Sequence, residues 1–183
     1  MGIWEDNLMH DNGLYTWGGV TKWAGHSYQG DYHYGIRDGY GVYTWPDGSK
    51  YYGNWTNGLS SGKGVKIWTD GRKYDGQWRK DKRHGTGVMT WQNGKKYIGD
   101  FRKGKRHGHG IMTWPNGNIY NGQWKDNMMS GKGVLLYHNG DVFQGFWYKD
   151  KIDSKGWYTT ADGVEYEELW EDGKEVSNNH TEY

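Results

Sequence analysis

An aromatic side chain returns every 23 residues along this chain. Tyr28, Tyr51, Tyr74, Tyr97, Tyr120, Phe143 and Tyr166 keep that step without a miss, and four residues after each stands Tyr32, Trp55, Trp78, Phe101, Trp124, Trp147 or Trp170. A fixed period of this size marks a repeat array, in which each unit buries its apolar face against its neighbours and there is no single central core. The period outweighs composition: a mean hydropathy of −1.13 and 32 glycines lean towards disorder. Against them stand 13 Trp and 16 Tyr, each able to bury a large area and placed at regular intervals. A folded chain with an aromatic core is expected.

Within one unit, Tyr97, Gly99 and Phe101 alternate with Ile98 and Asp100, the period of a half-buried strand, and a second strand follows from Gly110 to Trp114. Between units stand Asp47-Gly48, Asp70-Gly71, Asn93-Gly94, Asn116-Gly117, Asn139-Gly140 and Asp162-Gly163, strong signals for a two-residue type I′ hairpin turn. The other connection, Arg79 to His84 and its equivalents, reads as a longer loop. Its third position after the aromatic is Asn7, Gly35, Gly58, Asp81, Gly104, Asn127, Asp150 or Gly173, all tolerant of left-handed backbone. With a two-residue Asn93-Gly94 turn, Val88 faces Gly99, and the row Val42, Val65, Val88, Ile111, Val134, Trp157 forms the core face. The opposite face then carries Trp45, Trp68, Trp91, Trp114 and Tyr137, with Met89, Met112 and Leu135. A three-residue turn would exchange the two faces, because one step of register reverses every side chain.

The combination Y-x-G-x-[WF], then G-x-G, then [DN]-G resembles the MORN repeat family, on the glycine pairs Gly39/Gly41, Gly62/Gly64, Gly85/Gly87, Gly108/Gly110 and Gly131/Gly133. The resemblance implies an all-β fold, an elongated single-layer antiparallel sheet of about seven to eight hairpins. Residues 28–173 are expected to form the array, residues 1–27 a degenerate N-terminal half-repeat or cap, and residues 174–183 a polar C-terminal tail. Residues 13–25 mimic the later units but lie 28 rather than 23 residues ahead, so about five residues must bulge or form a cap. At the other end Ser154 and Glu168 replace glycines.

Few residues suggest chemistry. With no cysteine, disulfides and thiolate metal sites are excluded. His10, His84 and His107 share a repeat position with Asp38, Ser61, Ser130 and Asp153, short polar groups that bond turn amides, so a structural role is preferred to a metal or general-base role. Lys63 between Gly62 and Gly64 lacks the full phosphate-loop string, and Glu165, Glu167 and Glu168 lack a pocket-forming context. No enzyme activity and no cofactor are expected. No apolar run approaches the roughly 18 residues of a membrane span, and neither a signal region nor the myristoylation pattern, spoiled by Asp6, is evident, so a cytoplasmic setting is the default.

Charge is uneven. Arg72 to Arg106 holds twelve basic against three acidic residues, a balance of +9, whereas 141–183 holds eleven acids against four lysines, −7. Lys80, Lys82, Arg83, Lys103, Lys105 and Arg106 are expected along one basic edge. The reading that follows is a protein-binding scaffold whose aromatic face, Trp45, Trp68, Trp91, Trp114 and Tyr137, accepts a peptide or helix while the basic edge steers it. The family resemblance suggests a cytoskeletal or ciliary assembly. The alternative is a peripheral module on anionic phospholipid; end-to-end pairing of basic and acidic repeats is a further option, and nucleic acid is the least favoured partner.

Overall fold

The structure, a computed structural model, describes residues 3–5, 8–19, 23–171 and 173–180. Asp6 and Asn7 lie outside the described residues. The chain divides into two units, 1–92 and 93–183, each an antiparallel sheet whose strands pair in chain order. The first holds β1 (Ile3–Glu5), β2 (Leu8–Thr16), β3 (Ser27–His33), β4 (Ile36–Thr44), β5 (Lys50–Thr56), β6 (Leu59–Ile67), β7 (Lys73–Arg79) and β8 (Lys82–Thr90). The second holds β9 (Lys96–Arg102), β10 (Lys105–Thr113), β11 (Ile119–Lys125), β12 (Met128–Leu136), β13 (Val142–Tyr148), β14 (Lys151–Thr159), β15 (Glu165–Glu171) and β16 (Lys174–His180). Every strand belongs to a hairpin, as the period predicts, and the polar segment after 173 continues the sheet as β16 against β15.

The two turn types are the reverse of the sequence expectation. At each Asx-Gly the turn has three residues: Trp114 N–H donates to Asn118 O at 2.9 Å, and Gly117 N–H donates to Trp114 O at 3.0 Å. Glycine alone takes positive φ there, +92° at Gly117, and the preceding Asn or Asp accepts the amide two residues on, as Asp47 Oδ1 does from Ser49 N–H at 2.8 Å. This is a type I turn closed by a left-handed glycine, not type I′, which needs positive φ at both central residues. The type I′ geometry sits at the other connection: Lys80 and Asp81 have φ of 49° and 62°, Asp126 and Asn127 51° and 77°, with Arg79 facing Lys82 and Lys125 facing Met128. The five additional N-terminal residues fall in the first kind of turn. Trp17 bonds His26 across eight residues where later hairpins enclose three, and 20–22 of that connection lie outside the described residues.

The extra turn residue exchanges the two faces. Met112 faces Tyr120, and Gly110 faces both Gly99 and Gly122. The row expected as core, Val42, Val65, Val88, Ile111, Val134 and Trp157, lies on the open face, with Ile111 40% and Trp157 52% exposed. The buried face instead carries Tyr28, Tyr51, Tyr74, Tyr97, Tyr120 and Phe143, all at 0–1% exposure, with Trp55, Trp78, Phe101, Trp124 and Trp147. Met89 and Met112, expected on the opposite face, are buried among them.

Among the described residues each unit is a sheet alone, and its rings pack on its own backbone. A sheet normally buries its apolar face against a second layer. Here each tyrosine lies over a facing glycine pair, and its hydroxyl donates to the carbonyl three residues on, as Tyr51 does to Asn54 O at 3.0 Å. The tryptophan of the next repeat meets that ring edge-on, Tyr51 to Trp78 at 5.2 Å and 84°, and its indole N–H donates to a glycine carbonyl of the repeat before, Gly64 O at 2.9 Å. Trp78→Ala is therefore expected to cost roughly 3–5 kcal/mol. Trp68→Ala, on a half-buried ring, should cost well under half of that, and equal losses in a denaturant titration of the two variants would contradict this packing.

Candidate functional site

The aromatic row expected to bind a partner occupies the turn-side margin of the ring-filled face rather than the face opposite. Trp45 lies two residues beyond Tyr43, and the rings meet at 4.8 Å. Lys66 stands at the repeat position held elsewhere by Tyr43, Met89, Met112, Leu135 and Tyr158, with its Nζ 3.6 Å from the Trp45 centroid and 5.3 Å from that of Trp68. Burial lowers the ammonium pKa below its ordinary value, with the Asp47 carboxylate acting the other way. Arg72 covers Trp68 at 5.3 Å. Trp91 in the first unit and Trp114 and Tyr137 in the second are likewise half-buried, and burial raises the Tyr137 hydroxyl pKa. These rings present only part of their surface.

The expected basic edge separates into two classes. Lys80, Lys82, Lys103 and Lys105 are exposed on the type I′ turns, Lys105 reaching Asp126 at 3.4 Å. Arg83 and Arg106 point onto the ring face. Arg106 lies 4.7 Å over Trp124 and 5.8 Å over Tyr97, while its Nη2 donates to Asn127 O at 2.6 Å. Arg37, 46 residues ahead of Arg83, does the same over Trp55 at 4.3 Å, so the arginines of this register position cap the core by cation–π contact. The signal was present in the 23-residue period: Arg37, Arg83 and Arg106 share a phase in which basic charge stands beside an aromatic core.

His84 and His107 lie on β8 and β10 just ahead of the glycines Gly85 and Gly108, both at positive φ, and His10 packs edge-on against Tyr34 at 4.9 Å. No cluster of three metal-ligating side chains occurs among the described residues. Glu168, at the position of a glycine, is buried against the Trp170 N–H, which donates to it at 2.8 Å, and its burial raises the carboxyl pKa. Tyr166 consequently stacks on Tyr158 at 5.2 Å instead of lying over a glycine pair, and the ring-on-glycine pattern ends there.

The open face of the second unit holds a groove of about 490 Å³ that the sequence reading did not single out. Gly122, Gly133, Gly145 and Gly156 form its floor, and Val134, Gln144, Phe146 and Trp157 stand over it. In register order Asn121 faces Val134, Val134 faces Gln144, and Gln144 faces Trp157, a row running across four strands. Beside it run His109, Lys132, Phe146 and Lys155, with Lys132 Nζ 5.7 Å over the Phe146 ring. Phe146 is 46% and Trp157 52% exposed, so both rings offer open surface beside the floor. The arrangement offers contact surface and hydrogen-bonding amides, with no paired acid and base.

The sequence profile of the MORN repeat matches residues 1–19, 28–50, 51–71, 74–96, 97–119, 120–142 and 143–165. No curated protein matches the chain. Among solved structures it is similar to the SAS-4 (dCPAP) TCP domain of Drosophila melanogaster, in complex with a proline-rich motif of Ana2 (dSTIL), at 14% identity over 79% of this chain and 86% of that one, with a TM-score of 0.43. The TCP10c domain of Drosophila melanogaster Sas-4 matches at 12% identity over 79% and 94%, TM-score 0.40. The wild-type TCP10 domain of Danio rerio CPAP matches at 13% over 86% and 85%, TM-score 0.30.

Proposed function

Since this chain belongs to the MORN repeat family, whose repeats generally serve as protein- or membrane-binding scaffold modules, we propose that it is a non-catalytic protein-binding scaffold that uses the open face of its second unit, in a cytoskeletal or ciliary assembly in the cytoplasm. One observation carries the reading: Phe146 and Trp157 stand half-exposed over a glycine floor, while the Tyr97-type rings of the opposite face are buried. Exposed aromatic anchors beside a concave floor are where binding energy concentrates in protein interfaces. The Trp45, Trp68, Trp91, Trp114 and Tyr137 row then serves mainly to finish the ring face.

The membrane reading has its own observation, the exposed lysines of the type I′ turns. Each basic residue at an anionic surface contributes about 1 kcal/mol. Three variants separate the two readings in pull-downs and in flotation with phosphatidylserine vesicles: Phe146→Ala with Trp157→Ala; Trp68→Ala with Trp91→Ala; and Lys80, Lys82, Lys103 and Lys105 all to Glu. The scaffold reading expects protein capture to be lost only in the first. Vesicle binding that survives physiological salt and disappears only in the charge-reversed protein would replace it with the membrane module.

A further inference from the structure

We propose that the open-face groove of the second unit binds an extended partner segment of polyproline II geometry, lying across the strands with an acidic residue at every third position. The inference rests on the scaffold reading and names the chemistry of its partner. It comes from a match of periods. The residues around the groove repeat at two strand spacings, roughly 9.6 Å, because each 23-residue unit contributes two strands. Asn121 and Gln144 recur at that interval with their side-chain amides, Val134 and Trp157 with their apolar surfaces, and Lys132 and Lys155 with their ammonium groups. A polyproline II helix repeats every three residues, about 9.3 Å. Successive turns of such a segment therefore meet successive repeats in phase, whereas an α-helix, at 5.4 Å per turn, falls out of step.

The side chains specify the contents of each turn. A polyproline II backbone has no internal hydrogen bonds and keeps its carbonyls free, and amide donors spaced like Asn121 and Gln144 can reach one carbonyl per turn. Val134 and Trp157 receive apolar side chains or proline rings, and the glycine floor lets the segment approach the sheet closely. The charge is complementary: Lys132 and Lys155 flank the groove, His109 continues their row, and no carboxylate is among the residues lining it. Lys155, with its side chain 64% exposed, already meets Glu167, 30% exposed, at 3.2 Å. That pair shows a carboxylate accepted beside the ammonium assigned to the partner's acid.

The test uses the full chain and a fluorescein-labelled peptide of five Pro-Pro-Glu triplets, read by anisotropy. Controls are the same composition with the glutamates gathered at one end, and the Pro-Pro-Lys counterpart. The periodic acidic peptide should bind, more weakly as salt rises, and the lysine peptide should not. Lys132→Glu with Lys155→Glu, and separately Trp157→Ala, should each weaken binding by roughly tenfold or more. All three residues are exposed, so these variants should keep the wild-type circular dichroism spectrum. Equal affinity for the periodic and end-loaded peptides, or no binding of either, overturns the inference. If protein capture still depends on Phe146 and Trp157 in that event, the scaffold reading stands without it; loss of both results removes both.

Discussion

Gly110→Ala is expected to destabilise the second unit by about 3 kcal/mol or more, although it adds a single methyl group. A Cβ on Gly110 would enter the Tyr97 phenol ring, 2.5 Å from Cε2. The ring has nowhere to go: its hydroxyl donates to Asp100 O at 3.0 Å, and Phe101 and Trp124 meet it edge-on at 5.2 and 5.3 Å. Trp124 is held in turn by its bond to Gly110 O at 3.0 Å, so a displaced Gly110 backbone loosens both rings. Gly94→Ala is the matched control. Its φ is +86° but nothing lies within 4 Å of the added Cβ, so only the left-handed backbone cost of about 1–2 kcal/mol applies. Denaturant unfolding of both variants checks the contrast, and comparable losses would mean that ring-on-glycine packing does not organise the core.

Alkaline pH should unfold this protein through its tyrosines. Burial raises the hydroxyl pKa values of Tyr28, Tyr51, Tyr74, Tyr97 and Tyr120 well above the ordinary value near 10, so the folded state holds these protons more tightly than the unfolded state. The associated stability is complete below pH 10 and is lost as pH rises from there through the folded-state values. Each tyrosine removes roughly 1.4 kcal/mol per pH unit in that window. Three such residues give about 4 kcal/mol per unit in the first unit, and two give about 3 in the second. The part of the phenolate absorbance at 295 nm that comes from these buried rings should rise together with the change in tryptophan fluorescence, in one steep step above pH 10. Ionisation of these five at ordinary pH with fluorescence unchanged would show that the rings are not buried.

The repeat, the hairpins and the recurring aromatic rings of the core were legible in the sequence. Glycines two residues after each of these rings from Tyr28 to Phe143, and again on the neighbouring strand, mark where side chains are forbidden, and the turn positions at Gly35, Gly58, Asp81, Gly104, Asn127, Asp150 and Gly173 are left-handed as their residue types suggest. What could not be read was which face each row occupies. Asn-Gly suits both a two-residue type I′ turn and a three-residue turn closed by glycine, and the choice rests on the sign of φ at one Asn or Asp. That single step of register moved Val88 and Ile111 to the open face and Met89 and Met112 into the core. The roles of the cations were hidden for a related reason. Lys82 and Arg83 are neighbours in the sequence, but a strand sends successive side chains to opposite faces, so Lys82 stays exposed at the turn while Arg83 lies over the Tyr74 ring at 5.8 Å. The groove, too, exists only once the strands are paired, because its row Asn121, Val134, Gln144 and Trp157 is assembled one residue per strand from positions 10 to 13 apart in the chain.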